Sequence, residues 1–377
     1  MQPKVESSDD SMMIQQKVNS QIVGGKIDKR RQFQGCEQQS MKLLKHKQKH
    51  LYLVLDDWDK GFTVRKIDAD SPDLSLSEEC PLIRLLSPEP CHLMAFTTLG
   101  SSHIIAASNK HPATLVYDTD TAGLTTGPPV PDALQDAYNI FLPTGDDTLY
   151  AFAYYLNEAR AIKVLSSTKD LHSSVPTMDW SWRSTAPLPF TQDERICSYA
   201  VHPDGRTIFL SACTMFGCVN QRSRTLSFDT DHGEWTCHGE WVLPFMDKGH
   251  FDGYLDAWVG LHEDGYIGAC QAASPAATST LQMQQLDWKM AKDRLWSKEQ
   301  LVEQPTLTCM GSARFCLVAC VVSEGMKSGY TDACMLNITT FRLRYSHKGE
   351  LQIVERTTKS CQMYKNRLSF SPVAFWM

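Results

Sequence analysis

From His50 onward the chain alternates short apolar runs with polar, turn-forming stretches. Leu51 to Leu55 is uniformly apolar, Asp56-Asp57-Trp58-Asp59-Lys60-Gly61 carries turn chemistry, and Phe62 to Ile67 alternates apolar and polar positions with a period of two. That succession reads as strand, turn, strand. It continues to the C-terminus, and no segment has the 3.6-residue periodicity of an amphipathic helix of ten residues or more. The best helical stretch, Leu281 to Leu286, is short and fits a strand equally well.

Several hairpin phrases recur. Val116-Tyr117-Asp118-Thr119-Asp120-Thr121-Ala122-Gly123-Leu124 returns as Leu226-Ser227-Phe228-Asp229-Thr230-Asp231-His232-Gly233-Glu234-Trp235. In both, an apolar strand ends in Asp-Thr-Asp, whose side chains can bond the local backbone, and a Gly follows that tolerates left-handed dihedrals. A second phrase, Val201-His202-Pro203-Asp204-Gly205, matches Leu261-His262-Glu263-Asp264-Gly265 at an offset of 60, with a looser copy at Leu142 to Leu149. Large apolar residues after the outer turns supply a ruler: Leu74, Leu124, Trp182, Trp235, Trp296 and Leu351 lie 50, 58, 53, 61 and 55 residues apart. A period of that length predicts an all-β propeller over residues 50–377, of six four-stranded blades, with five or seven as alternatives. Asp118, Trp182, Asp229, Trp235 and Trp296 are its repeat anchors. The C-terminal run Leu368 to Phe375 is expected to complete the first blade, closing the ring and hiding its sheet edges.

The turn phrases resemble the kelch repeat, in which an apolar strand, a Tyr-Asp turn, a Trp and a proline-rich link follow one another. Tyr117-Asp118 with Pro128-Pro129, Trp182 with Pro187-Leu188-Pro189, and Phe228-Asp229 with Trp235 and Pro244 carry the match. The glycine doublet of ordinary kelch blades is missing, and Ser101-Ser102 and Leu210-Ser211-Ala212 take its place. Leu51 to Trp58 together with Thr63 to Asp68 is similar to the opening of a plant family, expanded in grasses, of kelch-like proteins of unknown function. The resemblance implies a plant intracellular propeller and no known activity. Plant kelch adaptors often carry an F-box ahead of the propeller; residues 1–49 lack the Leu-Pro-rich helical pattern of one.

Charge divides the chain. Its 377 residues carry a net charge of −6, but residues 1–50 hold eight Lys and two Arg against five Asp or Glu, a balance of +5 that leaves −11 for the remainder. An acidic body argues against nucleic acid as the main partner, because backbone phosphates need a basic face. Nine glutamines and few aromatics make residues 1–49 a disordered basic tail, too poor in apolar surface to offset the entropy of ordering. Its clusters at 26–31 and 42–49 read as solvated, with nuclear import as the sharper alternative. The longest strongly apolar run, Phe315 to Val322, has eight residues, against roughly 20 for a bilayer span. Thirteen cysteines, many inside strand-like runs, and a polar N-terminus suggest reduced thiols and a cytoplasmic or nuclear protein, away from membranes.

Catalytic motifs are nearly absent: no nucleophile elbow, phosphate-binding Gly-rich loop or H-E-x-x-H helix occurs. Cys316 and Cys320, on one face of a strand and roughly 13 Å apart when extended, read as core thiols. Cys213 and Cys218 with Cys237-His238 read the same way, with a metal site as the alternative. His202 and His262 occupy matching places in two hairpins and read as repeat-derived turn residues, or else as polar groups around the propeller axis. The clusters Asp56-Asp57-Asp59 and Asp146-Asp147 read as solvated turns. Trp58 and Trp180 fall off the repeat register near turns, where exposed aromatics anchor interfaces; they are the candidate partner-binding residues. The expectation is a monomeric, non-enzymatic scaffold that binds a protein partner through its loops, without metal or cofactor. The alternative is a small-molecule-binding or enzymatic propeller using polar residues at the central channel. Convergent channel side chains with perturbed ionisation favour the alternative; a channel of backbone and small side chains favours the scaffold.

Overall fold

The strand Leu51-Tyr52-Leu53-Val54-Leu55 is buried along its whole length, so its two faces need two separate apolar neighbours. That requirement organises the fold. In the computed structural model, residues 48–377 are described apart from 71–79, 88–93, 109–110, 112, 135–137, 146–147, 155–160, 170–177, 192, 215–221, 277–285, 323–332 and 367–369. Residues 1–47 of the expected tail, Leu74, Asp146, Asp147 and Cys218 therefore lie outside the described residues, as does nearly all of the Leu281 to Leu286 stretch.

The strands fall into successive antiparallel meanders. The first is β1 (Leu51–Trp58), β2 (Gly61–Ile67) and β3 (Ile83–Leu86). The second is β4 (Ala95–Leu99), β5 (His103–Ala107), β6 (Leu115–Asp118) and β7 (Gly123–Thr126). The third runs β8 (Tyr138–Thr144), β9 (Thr148–Tyr154), β10 (Ala161–Lys169) and β11 (Met178–Ser184), the fourth β12 (Glu194–Val201), β13 (Thr207–Thr214), β14 (Ser223–Asp229) and β15 (Glu234–Gly239). Then follow β16 (Met246–Asp252), β17 (Ala257–Leu261), β18 (Ile267–Cys270) and β19 (Trp288–Met290), and finally β20 (Thr306–Gly311), β21 (Arg314–Val321), β22 (Ala333–Tyr345) and β23 (Leu351–Tyr364). The last strand, β24 (Val373–Trp376), returns to the first meander and pairs with β1 from Leu51↔Trp376 to Val54↔Val373. His50 N donates to Met377 O at 2.6 Å and Met377 N to His50 O at 3.1 Å. The C-terminal strand thus completes the first sheet, as the sequence pattern implies.

Each sheet shares a core with the next. Tyr52 and Val54 pack with Ile104 and Tyr117 of the second meander, while Leu51, Leu53 and Leu55 pack with Cys316, Val318 and Leu336 of the last. Phe152 meets Phe228 between the third and fourth meanders, Phe209 meets Trp258 between the fourth and fifth, and Ile267 meets Phe315 beyond that. A ring of sheets in which the last packs on the first is a β-propeller. Burying a residue such as Leu53 contributes about 1.5–3 kcal/mol, and a strand buried on both faces does so at nearly every position.

The repeat anchors hold these sheets in two ways. Asp118 accepts hydrogen bonds from Asp120 N at 3.0 Å and Thr121 Oγ1 at 2.8 Å, closing the β6–β7 turn. Asp229 does the same for β14–β15, accepting from Asp231 N at 2.9 Å and His232 N at 3.2 Å. Trp182 is packed between the second and third sheets and Trp235 lies 4.9 Å from Phe228. Trp296 is buried beside Ile267 and Phe315, although it sits in a loop beyond β19. The ruler residue Leu124, by contrast, is 46% exposed.

Two sequence readings change. Asp56 is no solvated turn residue; it is fully buried, with Lys365 Nζ 3.8 Å from its Oδ1. Asp57 accepts from Thr63 Oγ1 at 2.5 Å and Arg65 Nη2 at 2.8 Å. The turn begins only after Trp58, because β1 extends beyond its apolar run. The 60-residue phrase also slips by one strand. His202 follows β12 in a first-to-second-strand turn, whereas His262 follows β17 in a second-to-third-strand turn. Since β12 and β16 run parallel, the two histidines stand at opposite ends of the ring. Locally the turns are alike: Gly205 N donates to His202 O at 2.9 Å and Gly265 N to His262 O at 3.0 Å. The turn chemistry repeats, but the place in the sheet does not.

Candidate functional site

The most unusual local structure is in β16, the inner strand of its sheet. Its ladder with β17 runs Met246↔Leu261 and then jumps to His250↔Val259. The ring of Phe245 fills the gap. A Cβ on Gly249 would lie 2.3 Å from Phe245 Cζ, and one on Gly260 would lie 2.5 Å from its Cβ and Cγ. Two glycines facing each other therefore leave room for one aromatic ring, which wedges the strands apart. Residues 247–249 are turned toward β12 and pair with it in parallel, Ser198↔Asp247 and Ala200↔Gly249. Asp247 takes the left-handed conformation, φ 50°. Bulges re-aim side chains in this way.

The bulge gathers several polar groups. Lys248 and His250 are half-buried on this inner strand. Burial holds the Lys248 ammonium below its ordinary value, with the Cys309 thiol opposing. Burial and then the Lys248 charge push His250 down to about 3, against a hydrogen bond to Leu307 O at 2.9 Å. A neutral imidazole that donates from Nε2 to a carbonyl leaves Nδ1 as an acceptor. Burial raises Asp247, and the Arg195 guanidinium partly opposes this. Among the described residues, the side chains of Arg195, Asp247 and Lys248 make no hydrogen bond or ion pair. Sequence reasoning passed over this cluster. Its signal was Asp247-Lys248-Gly249-His250, a polar run in the segment that forms β16.

A family model described as "Protein of unknown function (DUF1668)" matches residues 48–362. The chain belongs to this family. Its matched span covers nearly the whole propeller, including Arg195, Asp247, Lys248 and His250. No curated protein matches the chain. Among solved structures, a chain of the nidogen/laminin complex is similar at 11% identity and a TM-score of 0.42, covering 81% of this chain and 98% of that one. The periplasmic gluconolactonase of Pseudomonas aeruginosa is similar at 10% identity and a TM-score of 0.41, covering 84% and 99%. An oligogalacturonate lyase from Vibrio parahaemolyticus is similar at 8% identity and a TM-score of 0.35, covering 82% and 73%.

The residues singled out in the sequence do not converge. Trp180 is half-buried against Leu99, Ile105 and Leu149, with the His103 ring 6.4 Å away. Trp58 is half-buried on another sheet, with the Arg84 guanidinium 5.7 Å from its ring. Cys316 and Cys320 are buried between the first and last sheets. Cys213 lies beside Cys197 rather than beside Cys237, and His238 Nε2 is bonded to Ser227 Oγ at 2.8 Å. No group of three or more His, Cys, Asp or Glu that could hold a metal occurs among the described residues. A cavity of about 320 Å³ lies between the last sheet and the segment after β2, lined by residues that include Asp70, Arg314, Arg342, Glu355 and Lys359. Its charges already pair: Arg314 with Asp70, Arg342 with Glu355 at 2.9 Å, and Lys359 Nζ on Ala69 O at 3.1 Å. No helix among the described residues is long and apolar enough to cross a membrane.

Proposed function

We propose that the protein is a six-bladed propeller that binds a small hydroxylated carboxylate in its central channel. Arg195 and Lys248 take the carboxylate, and His250 Nδ1 and Asp247 accept hydrogen bonds from ligand hydroxyls. The observation that carries this reading is the convergence of polar side chains where the β16 bulge meets β12, with Lys248 and His250 half-buried and Arg195 and Asp247 open to solvent. A carboxylate held by Arg195 and Lys248 makes charge-assisted hydrogen bonds, which are stronger than neutral ones. The reading is of binding, with no chemical step. It keeps the kelch-like type, on the strength of the Tyr117-Asp118 and Phe228-Asp229 turns, and a plant source, on the strength of the opening Leu51 to Trp58. Ten free cysteines among the described residues support a reducing compartment, cytoplasm or nucleus. A protein partner is the second reading, favoured by Tyr254, 74% exposed on the turn after β16.

The test is differential scanning fluorimetry of the full chain against a panel of small hydroxycarboxylates, their amides and inorganic phosphate. Stabilisation by a carboxylate that Lys248→Met removes and the amide does not reproduce supports the proposal. Stabilisation that survives Lys248→Met, or none across the panel, overturns it.

A further inference from the structure

A second chemical feature lies one strand away and is independent of the ligand reading. Between β12 and β13 the pairing runs Ile196↔Ala212 and then Ser198↔Ser211. The extra residue is Cys197, which has no partner in the ladder. The bulge brings its Sγ to 2.9 Å from Cys213 Sγ. A disulfide bond measures about 2.05 Å, so the two sulfurs need to approach by less than about an ångström to bond. Both residues are half-buried, which leaves a path for a small reagent.

The surroundings make the two thiols unequal. Cys197 Sγ lies 3.4 Å from Ser211 O and 4.0 Å from Ser198 Oγ. The hydrogen bond from Cys197 pulls the Cys213 thiol down to about 7, against the effect of burial and Glu194 and with help from Arg195. The same bond, with burial, pushes Cys197 well above the ordinary thiol range. A thiol near neutrality is partly thiolate at cellular pH and is the nucleophile of such a pair.

We propose that Cys197 and Cys213 form a redox-reactive dithiol site that a hydroperoxide converts to a cross-strand disulfide. The Cys213 thiolate attacks one peroxide oxygen, the O–O bond breaks, and hydroxide leaves and is protonated to water. Cys213 is then a sulfenic acid. The Cys197 sulfur attacks it, the S–O bond breaks, and a second water leaves with the Cys197 proton. Two thiols lose two electrons in all, and hydrogen peroxide becomes two waters. A dithiol reductant reverses the bond by exchange. The disulfide ties inner strand β12 to β13 next to Arg195.

The test exposes the reduced full chain to hydrogen peroxide at neutral pH, blocks remaining thiols by alkylation, and maps tryptic peptides without reduction. Peptide Ile196–Arg206 carries Cys197, and Thr207–Arg222 carries Cys213 together with Cys218, so the Cys218→Ser variant is used throughout. The expected product is those two peptides joined, two hydrogens lighter than their sum, and restored to free thiols by reductant. In Cys197→Ser, which lacks the resolving thiol, Cys213 is expected to accumulate as a sulfenic acid that a dimedone-type reagent labels. Folding of each variant is checked by far-ultraviolet circular dichroism. Full alkylation of both thiols after peroxide in folded protein overturns the proposal, as does a cross-link from Cys197 that persists in Cys213→Ser.

Discussion

Gly249→Ala asks whether the Phe245 ring is what separates β16 from β17. The new Cβ would meet Phe245 Cζ at 2.3 Å, Cε2 at 2.6 Å and Cε1 at 3.0 Å, where carbon atoms prefer about 3.5–4.0 Å. Retreat is blocked, because Cβ and Cγ of the same ring already press on Gly260. The ring is 5% exposed, with Trp288 6.3 Å away and Leu243 and Trp258 in the same cluster. Overpacking of this kind costs about 1–3 kcal/mol. Phe245→Leu removes Cζ and both Cε atoms and keeps Cβ and Cγ; alone it loses about 1–2 kcal/mol of burial. In the double variant the clash is gone, so its loss is expected to fall short of the summed single losses by about 1 kcal/mol or more. The assay is urea unfolding of all four proteins followed by tryptophan fluorescence. Additivity within about 0.5 kcal/mol would show that the ring is not the obstacle, and the account of the bulge, and of the polar cluster it positions, would fail.

Two further outcomes follow from the fold. Ending the chain at Pro372 removes β24, the ladder from Leu51 to Val54 and the acceptor of Thr308 Oγ1 at Ala374 O. Scanning calorimetry should show a loss of roughly 4–6 kcal/mol, and an unchanged melt would refute ring closure through this strand. Burial alone would raise the Glu194 carboxyl, but Arg224 at 2.7 and 2.8 Å and the Thr191 N–H outweigh it and hold the group below its usual value of 4.5. A depressed carboxylate contributes stability above its unfolded value and loses it as pH falls through the folded one. Glu194→Gln should therefore cost about 1–3 kcal/mol at neutral pH, with the difference from wild type shrinking as acid protonates Glu194. A difference independent of pH from about 7 to 3 would exclude the linkage.

Much of the architecture could be read from the chain because its causes are local. Leu51 to Leu55 declares a strand with two buried faces, and such strands need neighbours on both sides. Asp118 and Asp229 close their own hairpins with atoms two and three residues away. Period, turn chemistry and the closing role of the C-terminal run belong to the same level. What the chain alone left open depends on groups far apart in sequence. Asp56 reads as a turn residue until Lys365, more than three hundred positions on, is found beside it. His202 and His262 share a phrase but not a place, since only strand order distinguishes a first turn from a second. The polar cluster exists because Phe245 enters a gap left by Gly249 and Gly260 and turns Asp247 and Lys248 toward β12. Cys197 meets Cys213 only because a bulge shifts one strand against the next. Local sequence determines which segments are strands and how they turn. The packing of whole sheets against one another sets their register, and the register decides which side chains meet.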